Sequence, residues 1–221
     1  MKKINLFNFI LFALIIVADI GFIVDGGLTV KTIASMLFVV VGFLNLFYLL
    51  RIKREKSNSA LIMFFGLSFA CLGDIFLEIE FIVGALLFAV GHVFYFVAYC
   101  KLQNFKWKDA IYMAIIFVPS LAIILFVPIF DFGVVTLQIL CCVYAFVISI
   151  MVGKATSNFI SSATKLNLIL LVGSVLFFFS DLMLLFNVFS NVSGVFLILC
   201  LATYYPAEFL LAYSILKMKN K

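Results

Sequence analysis

Apolar positions fill this chain in long blocks, not in alternation. Eight stretches, at about 6–24, 32–50, 60–77, 81–100, 110–127, 132–152, 166–186 and 195–216, are each long enough to cross a ~30 Å hydrocarbon core as a helix. Segments such as Ala34 to Leu44 and Leu168 to Phe179 lack the apolar–polar alternation of a barrel strand. The connections between blocks are too short to hold a soluble domain. The pattern predicts one all-α polytopic membrane domain over residues 1–221, with eight transmembrane helices.

Five ionisable side chains interrupt these blocks: Asp19, Asp74, Asp181, Glu208 and the chain's one histidine, His92. A charge at membrane depth costs a few kcal/mol or more, so it is there with a partner or a task. Two of the five recur in related settings, Leu72-Gly73-Asp74-Ile75-Phe76-Leu77 and Phe179-Ser180-Asp181-Leu182-Met183-Leu184. Tyr95-Phe96-Val97-Ala98-Tyr99-Cys100 in the fourth span likewise parallels Phe209-Leu210-Leu211-Ala212-Tyr213-Ser214 in the eighth. The two halves thus resemble a parallel four-plus-four repeat about an axis along the membrane normal.

Composition agrees with the pattern: 67% of residues are hydrophobic and 11% charged, against about half and a quarter in soluble domains. The net charge of +5 is explained by topology and not by nucleic acid. Lys2, Lys3, Arg51, Lys53, Arg54, Lys56, Lys101, Lys106, Lys108, Lys154, Lys165, Lys217, Lys219 and Lys221 fall on one side of an eight-span arrangement, Lys154 and Lys165 as flanks of the sixth loop. Only Lys31 falls on the other. The excess of Lys and Arg in cytoplasmic loops puts both termini in the cytoplasm of a multi-pass plasma or inner membrane protein, with anionic lipid headgroups as secondary partners. Met1-Lys2-Lys3 before an apolar run resembles a signal peptide. The run is too long, and Val24-Asp25-Gly26 offers no small-x-small site, so it reads as an uncleaved first span. Cys71, Cys100, Cys141, Cys142 and Cys200 are odd in number and lie in or at the ends of apolar spans, which fits small buried hydrophobes, not disulfides or zinc.

At ~1.5 Å rise per residue, Asp74 and Asp181 fall within roughly 5–8 Å of the non-cytoplasmic ends of their spans, with Asp19 at a comparable level. His92 lies about 16 Å and Glu208 about 20 Å down theirs. Helical spacing puts Phe88, His92, Tyr95 and Tyr99 on one face, Tyr204, Glu208 and Leu211 on another, and Ser174, Phe177 and Asp181 on a third. Together these faces describe an aromatic-walled pocket with a few convergent polar groups. Each polar residue also has a plainer reading: Asp74 reaching for the interface beside Glu78 and Glu80, Glu208 bonded to carbonyls freed by Pro206, His92 as a helix-to-helix hydrogen bonder. Asn45 fits interhelical glue and Tyr48 an interface anchor.

The chain resembles the YhhN family of eight-helix membrane proteins, whose characterised members are lysoplasmalogenases. The residues carrying the resemblance are Gly73-Asp74-Ile75-Phe76-Leu77, Phe88 through Gly91-His92-Val93-Phe94-Tyr95, Ser180-Asp181, and Tyr204-Tyr205-Pro206-Ala207-Glu208. Where family sequences often carry glutamine, this chain has Glu208. The resemblance implies hydrolysis of the vinyl ether bond of a lysophospholipid substrate, giving a fatty aldehyde and a glycerophospho-ethanolamine or -choline, without a cofactor. Such a reaction needs a proton at an alkene carbon and water at the resulting oxocarbenium carbon. Two neighbouring carboxyls, one protonated and one ionised, suit it. Asp74 and Asp181 are the candidate pair, with His92, Tyr95, Tyr204, Glu208 and Asp19 in binding or relay roles. A zinc mechanism fits poorly, because catalytic zinc sites use two or three imidazoles or thiolates. No basic residue other than Lys31 lies at a depth to meet the substrate phosphate. Two other classes remain open, an ion-coupled transporter and a non-catalytic lipid-binding protein. Oligomeric state is left open.

Overall fold

A computed structural model describes residues 2–190, 192 and 194–218. Lys219 and Lys221, which the charge pattern assigns to the cytoplasmic side, lie outside the described residues. The elements are α1 (Lys2–Asp25), α2 (Leu28–Phe47, continued by a π turn over Tyr48–Ile52), α3 (Asn58–Leu77), α4 (Phe81–Leu102), α5 (Asp109–Phe126), α6 (Val135–Ser161), α7 (Lys165–Phe189) and α8 (Val195–Ser214, closed by a 3-10 turn over Ile215–Lys217). All eight helices are long and apolar enough to span a membrane.

Polarity runs inside out relative to a water-soluble bundle. Phe7, Phe9, Val17, Phe43, Ile115 and Val135 are exposed on the outer surface, while Asp19, Lys31, Asn45, Asp74, His92, Lys154 and Glu208 are buried. Lipid satisfies the first group, and other protein groups must satisfy the second. Asn45 shows how: it accepts from Asn8 Nδ2 at 2.9 Å and donates to the Ala212 carbonyl at 3.1 Å, tying α1, α2 and α8 together. Three helix starts, those of α3, α4 and α7, carry side-chain caps. Ser57 caps α3, Thr164 caps α7, and the Glu80 carboxylate accepts from Ile82 and Val83 N–H to cap α4. Glu80 is therefore a cap and does not extend the polar run of the site. Gly26 ends α1 with φ +67°, a backbone state that glycine takes without strain.

α3 packs against α4 and α7 against α8; α2 touches α3 and α8, and α4 touches α6. In α3 and α4 small residues make the approach close, as is usual where no hydrophobic effect drives association. A Cβ on Gly84 would meet the Leu77 N and Cα at 2.5 and 2.6 Å, and one on Gly73 would meet the Phe88 ring at 2.8 Å. Gly73 precedes Asp74, so this contact sets the depth and aim of that carboxylate. Gly84→Val is expected to force α3 off α4, with a fall in folded yield and in thermal midpoint by differential scanning fluorimetry.

α6 departs from the sequence expectation. It runs to Ser161, about two and a half turns beyond 152, and Lys154 lies inside it and is buried, not flanking a loop. The polar run Lys154 to Ser161 stays helical because its side chains find partners on neighbouring elements. Lys154 Nζ bonds Asp109 Oδ2 at 2.6 Å, Ser157 Oγ bonds Asp109 Oδ1 at 2.5 Å, and Asn158 Nδ2 bonds the Tyr99 carbonyl at 3.0 Å.

Candidate active site

Asp74 sits in the last turn of α3, where three neighbours converge on it. Ser35 of α2 donates a very short hydrogen bond to Oδ2, Tyr205 of α8 donates to the same oxygen at 3.1 Å, and Lys31 Nζ lies 3.1 Å from Oδ1. Lys31 also bonds Glu78 Oε1 at 2.7 Å. Lys31 and Ser35 are four apart on α2 and so share a face. A buried lysine is tolerated because two carboxylates neutralise it.

Asp181 is held differently. Tyr144 of α6 donates to Oδ2 at 2.7 Å, and His92 Nε2 of α4 lies 3.3 Å from that oxygen and 2.8 Å from the tyrosine OH. With the tyrosine proton given to Asp181, the His92 contact to the tyrosine oxygen requires the hydrogen on Nε2. Nδ1 has no hydrogen-bond partner among the described residues. The ring is fixed edge-on against Phe177 at 4.6 Å between centroids.

Between the two half-sites, Glu208 Oε2 accepts from Tyr95 OH at 2.8 Å, linking α8 to α4, while Oε1 has no partner among the described residues. The Tyr204 OH is likewise unpartnered, and its ring stands edge-on to Phe38, Phe88 and Phe177. Buried polar atoms without partners are rare and mark places where a ligand or water completes the set.

One cavity joins the two aspartates and Tyr204. Of about 630 Å³ including the space at its mouth, it is bounded by Lys31, Asp74, Glu78, Asp181, Cys200 and Tyr204, among others. Both aspartates therefore face a common space without being each other's hydrogen-bond partner. The Asp181 side chain is the more open, 11% exposed against 5% for Asp74.

The structure thus brings Asp74, Asp181 and Tyr204 to one cavity, with His92 behind Asp181. Tyr95 and Glu208 form a buried pair beneath. Asp19 is buried and does not line the cavity, with Oδ1 unpartnered among the described residues. Sequence reasoning missed Ser35, Tyr144 and Tyr205 as donors. It named Lys31 as the odd basic residue and the one at a depth to meet a phosphate, but not as the partner of Asp74 and Glu78. Tyr144→Phe, which deletes one donor to a carboxylate, is expected to lower any turnover at this site by roughly 10-fold or more, since a hydrogen bond to a charged group contributes ~1.5–3 kcal/mol. Initial rates at saturating substrate check this.

A family model described as the YhhN family matches residues 28–215, from the start of α2 to the end of α8. Every cavity residue falls inside that range, and Asp19 falls outside it. No curated protein and no solved structure matches the chain.

Proposed function

The chain belongs to the YhhN family, and on that footing we propose that it is a membrane hydrolase of the lysoplasmalogenase type, cleaving the vinyl ether bond of a lysophospholipid. The single observation that carries this reading is the shared cavity, with Asp74 and Asp181 on its wall in unlike electrostatic settings. Asp74 faces an ammonium and two hydroxyl donors, so its carboxyl is the more heavily hydrogen-bonded of the two. Asp181 has no ammonium beside it among the described residues and is the more open to the cavity, which makes it the better placed of the two to hand a proton to substrate.

The reaction is R–CH=CH–O–R′ + H₂O → R–CH₂–CHO + HO–R′. Asp181 gives its proton to the chain-side alkene carbon. Positive charge then develops on the oxygen-bearing carbon, where the Asp74 carboxylate stabilises it electrostatically. Water adds to that carbon and returns a proton to the carboxylate pair. The hemiacetal collapses to aldehyde and alcohol. Tyr144 and His92 hold Asp181 in position and relay its proton, and Tyr204 OH is free to bond the ether or hydroxyl oxygen. Lys31, the one basic residue that the sequence put at this depth, borders the cavity and is the cation for the substrate phosphate. With the termini cytoplasmic, as the excess of Lys and Arg on one side favours, the cavity opens in the outer half of the membrane in this reading.

The discriminating experiment sets aldehyde release from a 1-alkenyl lysophospholipid by purified protein against ion-driven solute uptake in proteoliposomes. Aldehyde release without uptake is expected. Uptake without aldehyde would instead make the buried acids a transport pathway.

A further inference from the structure

A second space adjoins the polar cavity. It lies between α4, α5, α6 and α7, encloses about 720 Å³ including its mouth, and is walled by side chains such as Ala85, Ile124, Leu140, Ala145 and Ile148. Its few polar groups are turned to other partners: Ser120 Oγ donates to the Ile116 carbonyl at 2.8 Å and Tyr144 OH donates to Asp181. Leu77, Phe81, Phe88, Asp181 and Leu184 border both spaces, so Asp181 stands at their junction. An apolar space this size forfeits dispersion contacts when empty and offers water no partners. Its shared border with a cavity holding Lys31, Asp74 and Glu78 gives the two spaces together the shape of an amphiphile with one tail and a charged head.

We propose that the groove between α4, α5, α6 and α7 is the subsite for a single long hydrocarbon chain, laid so that the chain joins its head beside Asp181 and the head reaches Lys31 and Glu78. The inference rests on the hydrolase reading for the identity of the bond at the junction. It deepens that reading by fixing the direction of the lipid. The chain-side carbon of a vinyl ether is the one that takes the proton, and in this direction it meets Asp181. The oxygen-bearing carbon is turned toward Asp74 and the polar cavity. The reverse direction would put a charged head in a groove with no free donor and a tail against a lysine and two carboxylates, at the cost of desolvating all of them.

The test uses the full chain and an unreactive 1-O-alkyl lysophosphoethanolamine carrying a diazirine at the end of its chain. Irradiation followed by peptide mass spectrometry is expected to place the label on α5 and α6, within 120–124 and 140–148, and a tenfold excess of the unlabelled ether lipid should remove it. Ala145→Phe, which fills the groove, is expected to lower this labelling and to raise KM for the long-chain alkenyl substrate at least tenfold. Val143→Phe, on the lipid-facing side of α6, should change neither. Should Ala145→Phe fail to fold, the wild-type labelling pattern still decides. Competed label in the groove with aldehyde release supports both readings. Competed label in the groove without aldehyde keeps the chain subsite and removes the hydrolase reading. Aldehyde release with label confined to other helices overturns the subsite and leaves the hydrolase standing. Neither label nor aldehyde overturns both.

Discussion

Asp181→Asn is expected to abolish vinyl ether hydrolysis while leaving a folded protein that still holds lipid. The substitution keeps the shape of the side chain, and the amide oxygen still accepts the Tyr144 hydroxyl that lies 2.7 Å from Oδ2. What is lost is the transferable proton. A positioned general acid contributes about 10²–10⁴ in rate, and the loss should fall in that range. Asp74→Asn should also inactivate, by a different route: it strips Lys31 of one of its two carboxylates and removes the charge facing the oxocarbenium carbon. Because the two groups act in one step, the double variant should be little worse than the poorer single one. Binding of the unreactive ether lipid, followed by native mass spectrometry, separates a chemical defect from a structural one. Asp181→Asn should retain it.

Lys154→Ala is expected to show the largest loss of stability, with the cavity untouched. Lys154 and Asp109 form an ion pair whose side chains are 1% and 2% exposed. The lysine also reaches the Asn104 carbonyl at 3.2 Å, and Asp109 accepts from Lys106 N–H and Ser157 Oγ as well. The cluster therefore staples the α4–α5 connection to α6. Truncating the lysine leaves a buried carboxylate without its cation. Breaking such a pair costs ~3–5 kcal/mol, and the lower end applies at the end of a helix bundle, close to water. At ~2–4 °C per kcal/mol for a chain of this size, thermal unfolding in detergent should drop by on the order of 10 °C. Asp109→Asn leaves the lysine uncompensated but retains an acceptor, and should lose less. Turnover per folded molecule should be unchanged in both.

Much of the fold was legible because lipid imposes a simple rule on sequence. A buried backbone must close its own hydrogen bonds, so helices show as unbroken apolar blocks. The same rule exposed Asp74, Asp181, His92 and Glu208, which stand out only because their surroundings are uncharged. Tyr144 and Tyr205 did not stand out. In a chain with 29 phenylalanines and 8 tyrosines, a phenol that donates to a carboxylate looks like one more aromatic wall residue. Tyr204 and Tyr205 show how little the sequence distinguishes them: one helical step apart, the first lines the cavity with a hydroxyl that has no partner among the described residues and the second bonds Asp74. The far end of α6 was misplaced for the opposite reason. Its Lys, Thr, Ser and Asn residues read as a loop, and only their partners on α4, α5 and the α4–α5 connection explain why the helix continues.

Protonation of an alkene carbon by Asp181 is tested most directly by running the reaction of purified protein on 1-alkenyl lysophosphoethanolamine in D₂O and weighing the aldehyde by mass spectrometry. The wild type should release aldehyde with one deuterium on the carbon next to the carbonyl, and Asp181→Asn should release none above background. Aldehyde formed at the wild-type rate by Asp181→Asn, or released by the wild type without that deuterium, would contradict carboxylate acid catalysis at this site.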